Sequence, residues 1–167
     1  MLKTFLEKKL DYDISEQDRE LPFKTTKETR LRVLQWKLLH NIYPTNIMLN
    51  RMKVAINNHC SYCPGEVDFI EHFFFFCPLT LAFWKQIENY ILINCDTKLK
   101  INALDVFFGL QNEEQIAPKH KQTINHILLV GKMCISIFKK TNRHACMYSL
   151  FENHWNIRYK STVTSIA

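Results

Sequence analysis

Four residues of metal-binding type lie close together in the middle of the chain. Cys60, Cys63, His72 and Cys77 follow the spacing Cys-x2-Cys-x8-His-x4-Cys. Zn²⁺ prefers four nitrogen and sulfur ligands in a tetrahedron, and a two-residue gap lets one tight turn direct both sulfurs of the first pair at one ion. We therefore expect these residues to bind a single zinc ion. Three thiolates and an imidazole, without a carboxylate, are typical of a closed structural site rather than a catalytic one.

The residues between the ligands predict how the ligands meet. Pro64-Gly65 supplies a turn directly after the first cysteine pair. Asp68, with a glutamate three residues later, has the spacing of a helix N-cap and its reciprocal partner, which places His72 in the first helical turns. Pro78 disfavours helical geometry at Cys77. We expect one short helix, with a ligand near each end, to pack over the cysteine turn and close the site.

The same residues also allow other interpretations. The six cysteines could form disulfides, but the N-terminus has no signal peptide, and Cys95, Cys134 and Cys146 lie in apolar contexts that suit buried free thiols. His59, next to Cys60, is the one residue that could compete for a ligand position. In the DNA-reading zinc finger, the recognition helix begins within a longer gap before the first histidine. The gap of eight residues in this chain therefore argues against that class of finger.

Length and composition indicate a mostly α-helical protein. A chain of 167 residues with 47% hydrophobic content fits one domain, or one domain with a satellite, around a substantial core. Three glycines and long stretches of helix formers favour the α class. The apolar runs are too short or are interrupted, as Ile127 to Phe138 is by Lys132, so we expect no membrane span. We expect an intracellular protein of the nucleus, the cytoplasm or both.

Hydrophobic periodicity divides the chain into regions. Helices are predicted over 27–43, 45–52, 79–94, 118–141 and 144–159, with a short apolar segment over 104–110. The expected fold is a small helical domain with an embedded CCHC zinc knuckle. Its regions are a lead-in or linker over 1–26, a zinc-binding domain over 27–95, a basic helical region over 96–160 and a frayed tail over 161–167.

Charge is unevenly distributed along the chain. Residues 1–59 hold eleven Lys and Arg against seven Asp and Glu, residues 60–117 hold three against eight, and residues 118–167 hold eight against one. A basic C-terminal third suggests a polyanionic partner, RNA or DNA being the commonest, although basic faces are often merely solvated. The candidate nucleic-acid contacts are basic residues that could bind phosphates and one tyrosine, Tyr62, that could stack on an unpaired base. The basic residues are Arg30, Lys37, Lys121, Lys132, Lys139, Lys140 and Arg143.

Motifs of catalysis are absent from the sequence. There is no glycine-rich phosphate loop, no nucleophile elbow, no zinc-protease helix and no pair of aspartates of the kind that holds two Mg²⁺ ions. Asp11 and Asp13 lie close together, but their polar surroundings favour a solvated loop. We expect a protein that is not an enzyme.

The order of these elements resembles a known family. RLRVLQWKLLHNIYPTNIMLNRM, then HCSYC, then DFIEHFFFFCPLTLAFW is similar to the zinc-binding segment at the C-terminal end of non-LTR retrotransposon (LINE-type) reverse transcriptases. The matching features are Gln35-Trp36-Lys37, Leu49, the four ligands and Trp84. The resemblance covers about residues 25–90, with weaker similarity over 131–140. The polymerase and endonuclease domains of the complete family protein have no counterpart in this chain.

The resemblance implies a role in retrotransposition. In the family, this segment lies beyond the polymerase and is thought to help hold template RNA or target DNA during target-primed reverse transcription. Two functions are therefore expected as alternatives. One is a zinc-stabilised module that binds nucleic acid through its lysines and arginines. The other is a helical docking domain whose broad apolar helix 27–43 packs against a polymerase or another protein without binding nucleic acid.

Overall fold

The computed structural model describes residues 15–110, 115–141 and 146–159. Within them the chain is mostly α-helical, as predicted, and β-pairing is limited to a single bridge between His59 and Val67. A π-helical turn covers His72–Phe76. The α-helices are α1 Glu16–Thr25, α2 Thr29–Leu39, α3 Asn46–Arg51, α4 Pro78–Cys95, α5 Ala103–Phe108, α6 Pro118–Thr141 and α7 Met147–Arg158.

Helix α6 is the central element of the described fold. It packs against α1, α2, α4, α5, α7 and the π-helical turn. Gly131 allows α4 to approach closely, because a Cβ atom at this position would lie 2.8 Å from two ring atoms of Trp84. Trp84 is buried, and its indole N–H donates a hydrogen bond of 2.8 Å to the Phe74 carbonyl. The core therefore joins α6 directly to the segment that carries the metal ligands.

The expected division into a lead-in, a zinc-binding domain and a basic region stays a prediction, but residues from the last two regions lie in the same core. One cluster of buried hydrophobic residues runs from Leu31 to Trp155, so both proposed domains share a core. The end of the expected linker folds as α1, which contains Pro22 within the helix and packs against α5 and α6. A proline is compatible with a helix when other elements hold the flanking turns in place. The remainder of the lead-in and the expected frayed tail lie outside the described residues.

The cysteines outside the metal cluster carry free thiols. Cys95 and Cys134 are buried, in agreement with the sequence, and burial raises the pKa of the Cys134 thiol to about 12. Cys146 is exposed, contrary to expectation, because it directly precedes the first residue of α7 instead of lying within the apolar face of a helix. Within the described ranges, no helix has both the length and the apolar character needed to cross a membrane.

Candidate metal centre and basic surface

The first two ligands are held by a tight hairpin. The Cys60 N–H donates to the Glu66 carbonyl at 2.8 Å, and the Glu66 N–H donates to the Cys63 carbonyl at 3.1 Å. Gly65 has φ +93°, a conformation that glycine adopts at little cost. A Cβ atom there would meet no neighbouring atom, so the requirement for glycine comes from the backbone conformation. The hairpin presents the Cys60 and Cys63 sulfurs to the same side.

The other two ligands are joined by the π-helical turn. The Cys77 N–H donates to the His72 carbonyl at 2.9 Å, five residues back. In an α-helix, five residues rotate by about 500°, which leaves the two side chains about 140° apart. The wider π turn instead stacks Cys77 above His72 and directs both at the hairpin. Cys77 itself is extended, with φ −60° and ψ 130°, which confirms the expected effect of Pro78.

Asp68 caps a different helix from the one predicted. Its Oδ2 accepts a hydrogen bond of 2.9 Å from the backbone N–H of Asn46, the first residue of α3. Thr45, the N-cap residue of α3, makes no side-chain capping bond. The Asn46 side chain in turn donates to the His59 carbonyl at 2.8 Å. These bonds attach α3 to both ligand-bearing segments, an arrangement that local capping rules do not reveal because the partners are 22 residues apart.

The ligand atoms of Cys60, Cys63, His72 and Cys77 all lie within 4.8 Å of one another. The Cys63 and Cys77 sulfurs are 3.5 Å apart, near the roughly 3.8 Å edge of a tetrahedron with Zn–S bonds of about 2.3 Å. The His72 Nε2 atom is buried and has no hydrogen-bond partner among the described residues. A buried imidazole nitrogen beside three thiols fits zinc. His59 is exposed and lies outside the cluster.

The electrostatics of the site favour the metal-binding forms of two ligands. Burial and the nearby Lys139 charge lower the pKa of His72, which favours the neutral imidazole that can coordinate a metal. Burial alone raises the pKa of Cys77, but the Lys139 charge and the backbone N–H groups of Leu79 and Thr80 outweigh it, so the net pKa is lowered. Burial and the neighbouring Cys77 raise the pKa of Cys63. Cys63 therefore needs a bound cation to become a thiolate beside the thiolate of Cys77.

Lys132 does not lie on the surface predicted for it. It is 2% exposed, and its ammonium group donates to the Gln35 side-chain oxygen, while the Gln35 amide donates to the Phe107 carbonyl at 2.7 Å. Burial lowers the pKa of Lys132 to about 7. The predicted exposed face does not exist at this point of α6, because every residue from 127 to 135 is buried. Lys132 therefore cannot reach a phosphate.

The other basic candidates lie nearer the ends of their helices. Arg30 is exposed on α2, Lys37 is half-buried in the last turn of α2, and Lys121 is half-buried near the start of α6. Lys140 is exposed, with Nζ 4.6 Å from the centre of the Tyr43 ring. Burial lowers the pKa of Lys140, and the charge of Lys37 lowers it further, so the two lysines are electrostatic neighbours.

Two further candidates, Tyr62 and Arg143, differ in how far the structure describes them. Tyr62 is half-buried and its ring packs near Phe138, with 6.0 Å between ring centres. Arg143 lies outside the described residues. Trp36 was not among the predicted contacts, but it is 46% exposed, with its ring 4.6 Å from that of His40.

The chain matches a protein family over its N-terminal half. Residues 6–84 match the family described as zinc-binding in reverse transcriptase, and a search of curated proteins gave no match. The matched segment contains all four clustered ligands and begins earlier than the resemblance suggested by the sequence. That family is a zinc-binding accessory segment, distinct from the catalytic polymerase domain. Residues 6–84 are therefore similar to the zinc-binding segment of reverse transcriptases, and Cys60, Cys63, His72 and Cys77 make one structural zinc site.

Proposed function

We propose that this protein is a non-catalytic, zinc-stabilised module that binds nucleic acid and helps to hold template RNA or target DNA during reverse transcription. The observation that carries the proposal is the pairing of Lys37 and Lys140. These residues come from α2 and α6, more than a hundred positions apart, yet their charges interact. Two positive charges that act on each other from different helices raise the local positive potential, which suits a phosphate backbone.

The charge pattern around this pair supports a polyanionic partner. Residues 29–65 contain five lysines and arginines and no aspartate or glutamate. Residues 115–151 contain six and again no acidic residue. The segments that surround Lys37 and Lys140 in sequence are therefore free of the carboxylates that would repel phosphate. The acidic residues of the middle region lie on other segments of the chain.

An exposed aromatic pair next to Lys37 suits unpaired bases. Trp36 lies in the last turn of α2 and His40 is the C-cap residue of that helix, with 4.6 Å between ring centres and an angle of 33° between ring planes. Lysines beside exposed aromatic rings are the usual means of holding single-stranded nucleic acid, because bases stack on the rings while the cations follow the backbone. Trp36 is better placed for this role than the half-buried Tyr62. Unpaired template RNA is therefore the favoured ligand.

A second function, docking to a protein, is favoured by a separate observation. The loop after α3 exposes Met52, Val54 and Ile56, and Ile56 is fully exposed. This loop is held in place by a hydrogen bond of 2.8 Å from the Val54 N–H to the Leu49 carbonyl. Apolar side chains presented on an ordered loop are typical of a protein interface. The polymerase domain of a reverse transcriptase is the expected partner in that case.

Salt-dependent binding separates the two functions. The protein, loaded with zinc, is titrated with single-stranded RNA and with duplex DNA over a range of salt concentrations. A Lys37→Gln/Lys140→Gln variant should bind more weakly, and its slope against log salt on duplex DNA should be shallower by about 0.9 for each phosphate contact removed. Lys98 and Lys100 are exposed lysines of the acidic middle region, so Lys98→Gln/Lys100→Gln is a matched control.

Each result bears on the proposal in a defined way. Weaker binding by the Lys37/Lys140 variant, with the Lys98/Lys100 variant close to the parent, supports the nucleic-acid function. Binding by the Lys37/Lys140 variant equal to the parent at every salt concentration contradicts it. Failure of the parent itself to bind RNA or DNA, together with salt-insensitive binding to a polymerase domain, supports docking instead.

A further inference from the structure

Lys139, in the last turn of α6, contacts the π-helical turn that carries two of the metal ligands. Its Nζ donates a hydrogen bond of 2.8 Å to the carbonyl of Phe73, the residue that follows His72. This bond links residues 66 positions apart. The end of α6 is therefore fixed to the backbone of the zinc knuckle.

The same ammonium group lies between the two ligand-bearing segments. Nζ is 4.5 Å from the centre of the Phe73 ring and 5.9 Å from the centre of the Tyr62 ring. Phe73 follows the ligand His72, and Tyr62 lies between the ligands Cys60 and Cys63. Aromatic faces attract cations, and a half-buried ammonium held in this way is partly shielded from water. The charge of Lys139 accordingly reaches the metal ligands His72 and Cys77.

A zinc centre of this composition needs a compensating cation. Zn²⁺ with three thiolates and one neutral imidazole carries a net charge of −1. Cys60 and Cys77 are buried, and the nearby carboxyl groups of Asp68 and Glu71 are buried as well. Taking net negative charge out of water is costly unless a positive charge lies close by. Lys139 supplies such a charge from outside the knuckle.

We propose that Lys139 is a positioning residue of the zinc centre, whose ammonium group compensates the negative charge of the Cys₃His–zinc unit and fixes the turn that carries His72. In this role Lys139 couples zinc binding to α6 and is not a phosphate contact. The proposal depends on the zinc site and not on the nucleic-acid function, which involves Lys37 and Lys140.

Zinc affinity of position-139 variants tests this role. Affinity is measured on the whole chain by competition with a chromophoric chelator, and the Co²⁺-substituted protein reports the geometry of the ligands through its visible spectrum. Lys139→Met removes both the charge and the hydrogen bond, and Lys139→Gln removes the charge but keeps a donor. Lys139→Arg keeps the charge. Lys140→Met is the matched control, because it removes a neighbouring lysine of the same helix.

Partners that surround the ligands of a metal site usually affect its affinity by about 10- to 100-fold. We expect losses in that range for Lys139→Met and Lys139→Gln, with Lys139→Arg and Lys140→Met within about threefold of the parent. The loss should shrink as salt is raised, because ions screen the missing charge, whereas a packing defect would not respond to salt. Parent-like affinity in Lys139→Gln overturns the charge-compensation role. An equal loss in Lys140→Met also overturns it, since the effect would then not be specific to Lys139.

Discussion

The backbone N–H of Cys77 bonds to the carbonyl of His72 at 2.9 Å across a π-helical turn. This bond places two ligands that are five residues apart on the same side of the chain, which an α-helical turn would not do. The π turn therefore allows a histidine and a cysteine with the His-x4-Cys spacing to reach the same metal ion. The turn is also the point at which Lys139 attaches α6 to the site.

Loss of one ligand should abolish zinc binding and unfold the knuckle. Cys77→Ser replaces a strong thiolate ligand with a hydroxyl group, and structural zinc sites couple metal binding to folding by about 10 kcal/mol or more. We expect one zinc ion per chain in the parent, and loss of ordered structure over residues 58–80 in the variant. Elemental analysis and hydrogen exchange measure both. Cys146→Ser, which changes an exposed thiol outside the cluster, should keep its zinc.

Lys132 should make stability depend on pH above neutrality. Its folded pKa of about 7 lies below the ordinary lysine pKa of 10.5, so between these values the unfolded state binds more protons and stability rises as pH rises. The slope can reach about 1.4 kcal/mol per pH unit. Lys132→Met should flatten the rise in unfolding free energy between pH 7 and 10, measured by urea denaturation of the zinc-bound protein.

The control for Lys132 is the exposed Lys119, near the start of the same helix. Lys119→Met should leave the pH dependence of the unfolding free energy unchanged. A Lys132→Met variant with the same slope as the parent would show that the lysine is not held neutral in the core. The slope comparison is informative even if loss of the Gln35 contact changes the absolute stability.

Gly131 should be intolerant of a side chain. A Cβ atom there would lie 2.8 Å from the Trp84 ring, well inside normal contact distance, and overpacking of this kind typically costs about 1–3 kcal/mol. We expect Gly131→Ala to lower the unfolding free energy by that amount, measured by chemical denaturation. Gln122→Ala, at an exposed position of α6, should change stability by less than about 0.5 kcal/mol. Equal stability of the two variants would contradict this packing.

Trp36 should contribute to binding of unpaired nucleic acid and little to folding. Stacking of a base on an aromatic side chain is worth about 1–3 kcal/mol, so Trp36→Ala should weaken single-stranded RNA binding by roughly 5- to 150-fold. Filter binding measures the affinity of both proteins for the RNA. Ile93→Ala removes another exposed apolar side chain, on α4, and should bind normally. Unchanged RNA binding by Trp36→Ala would exclude stacking on this ring.

The purified chain should not incorporate nucleotides. The segment it matches is a zinc-binding accessory segment, and the sequence holds no paired aspartates of the kind that carry two Mg²⁺ ions for nucleotidyl transfer. A primer-extension assay with Mg²⁺ and an RNA template, run beside an active reverse transcriptase, measures this. Template-dependent extension by the pure chain would contradict a non-catalytic function.

The metal centre was predictable because its determinants are local in sequence. Ligand type and spacing, the Pro64-Gly65 turn and the effect of Pro78 on Cys77 all act over a few residues, so they indicated the four ligands and the closed character of the site. The same reasoning found α6 at its observed ends, Pro118 and Thr141, because a long helix carries many repeats of its periodicity. The π form of the turn was not predicted, since no residue pattern specifies it.

The roles of the lysines depended on contacts between distant parts of the chain. Lys121, Lys132 and Lys139 are spaced so that they lie on the same side of α6. In the structure, however, Lys121 is half-buried, Lys132 is buried against Gln35, and Lys139 donates a hydrogen bond to the Phe73 carbonyl. The sequence by itself determined the zinc ligands, the helical class and the basic character of α6, because these follow from residue type and short-range spacing. Only the tertiary structure decided which lysines face solvent, because burial is set by elements that pack from elsewhere in the chain.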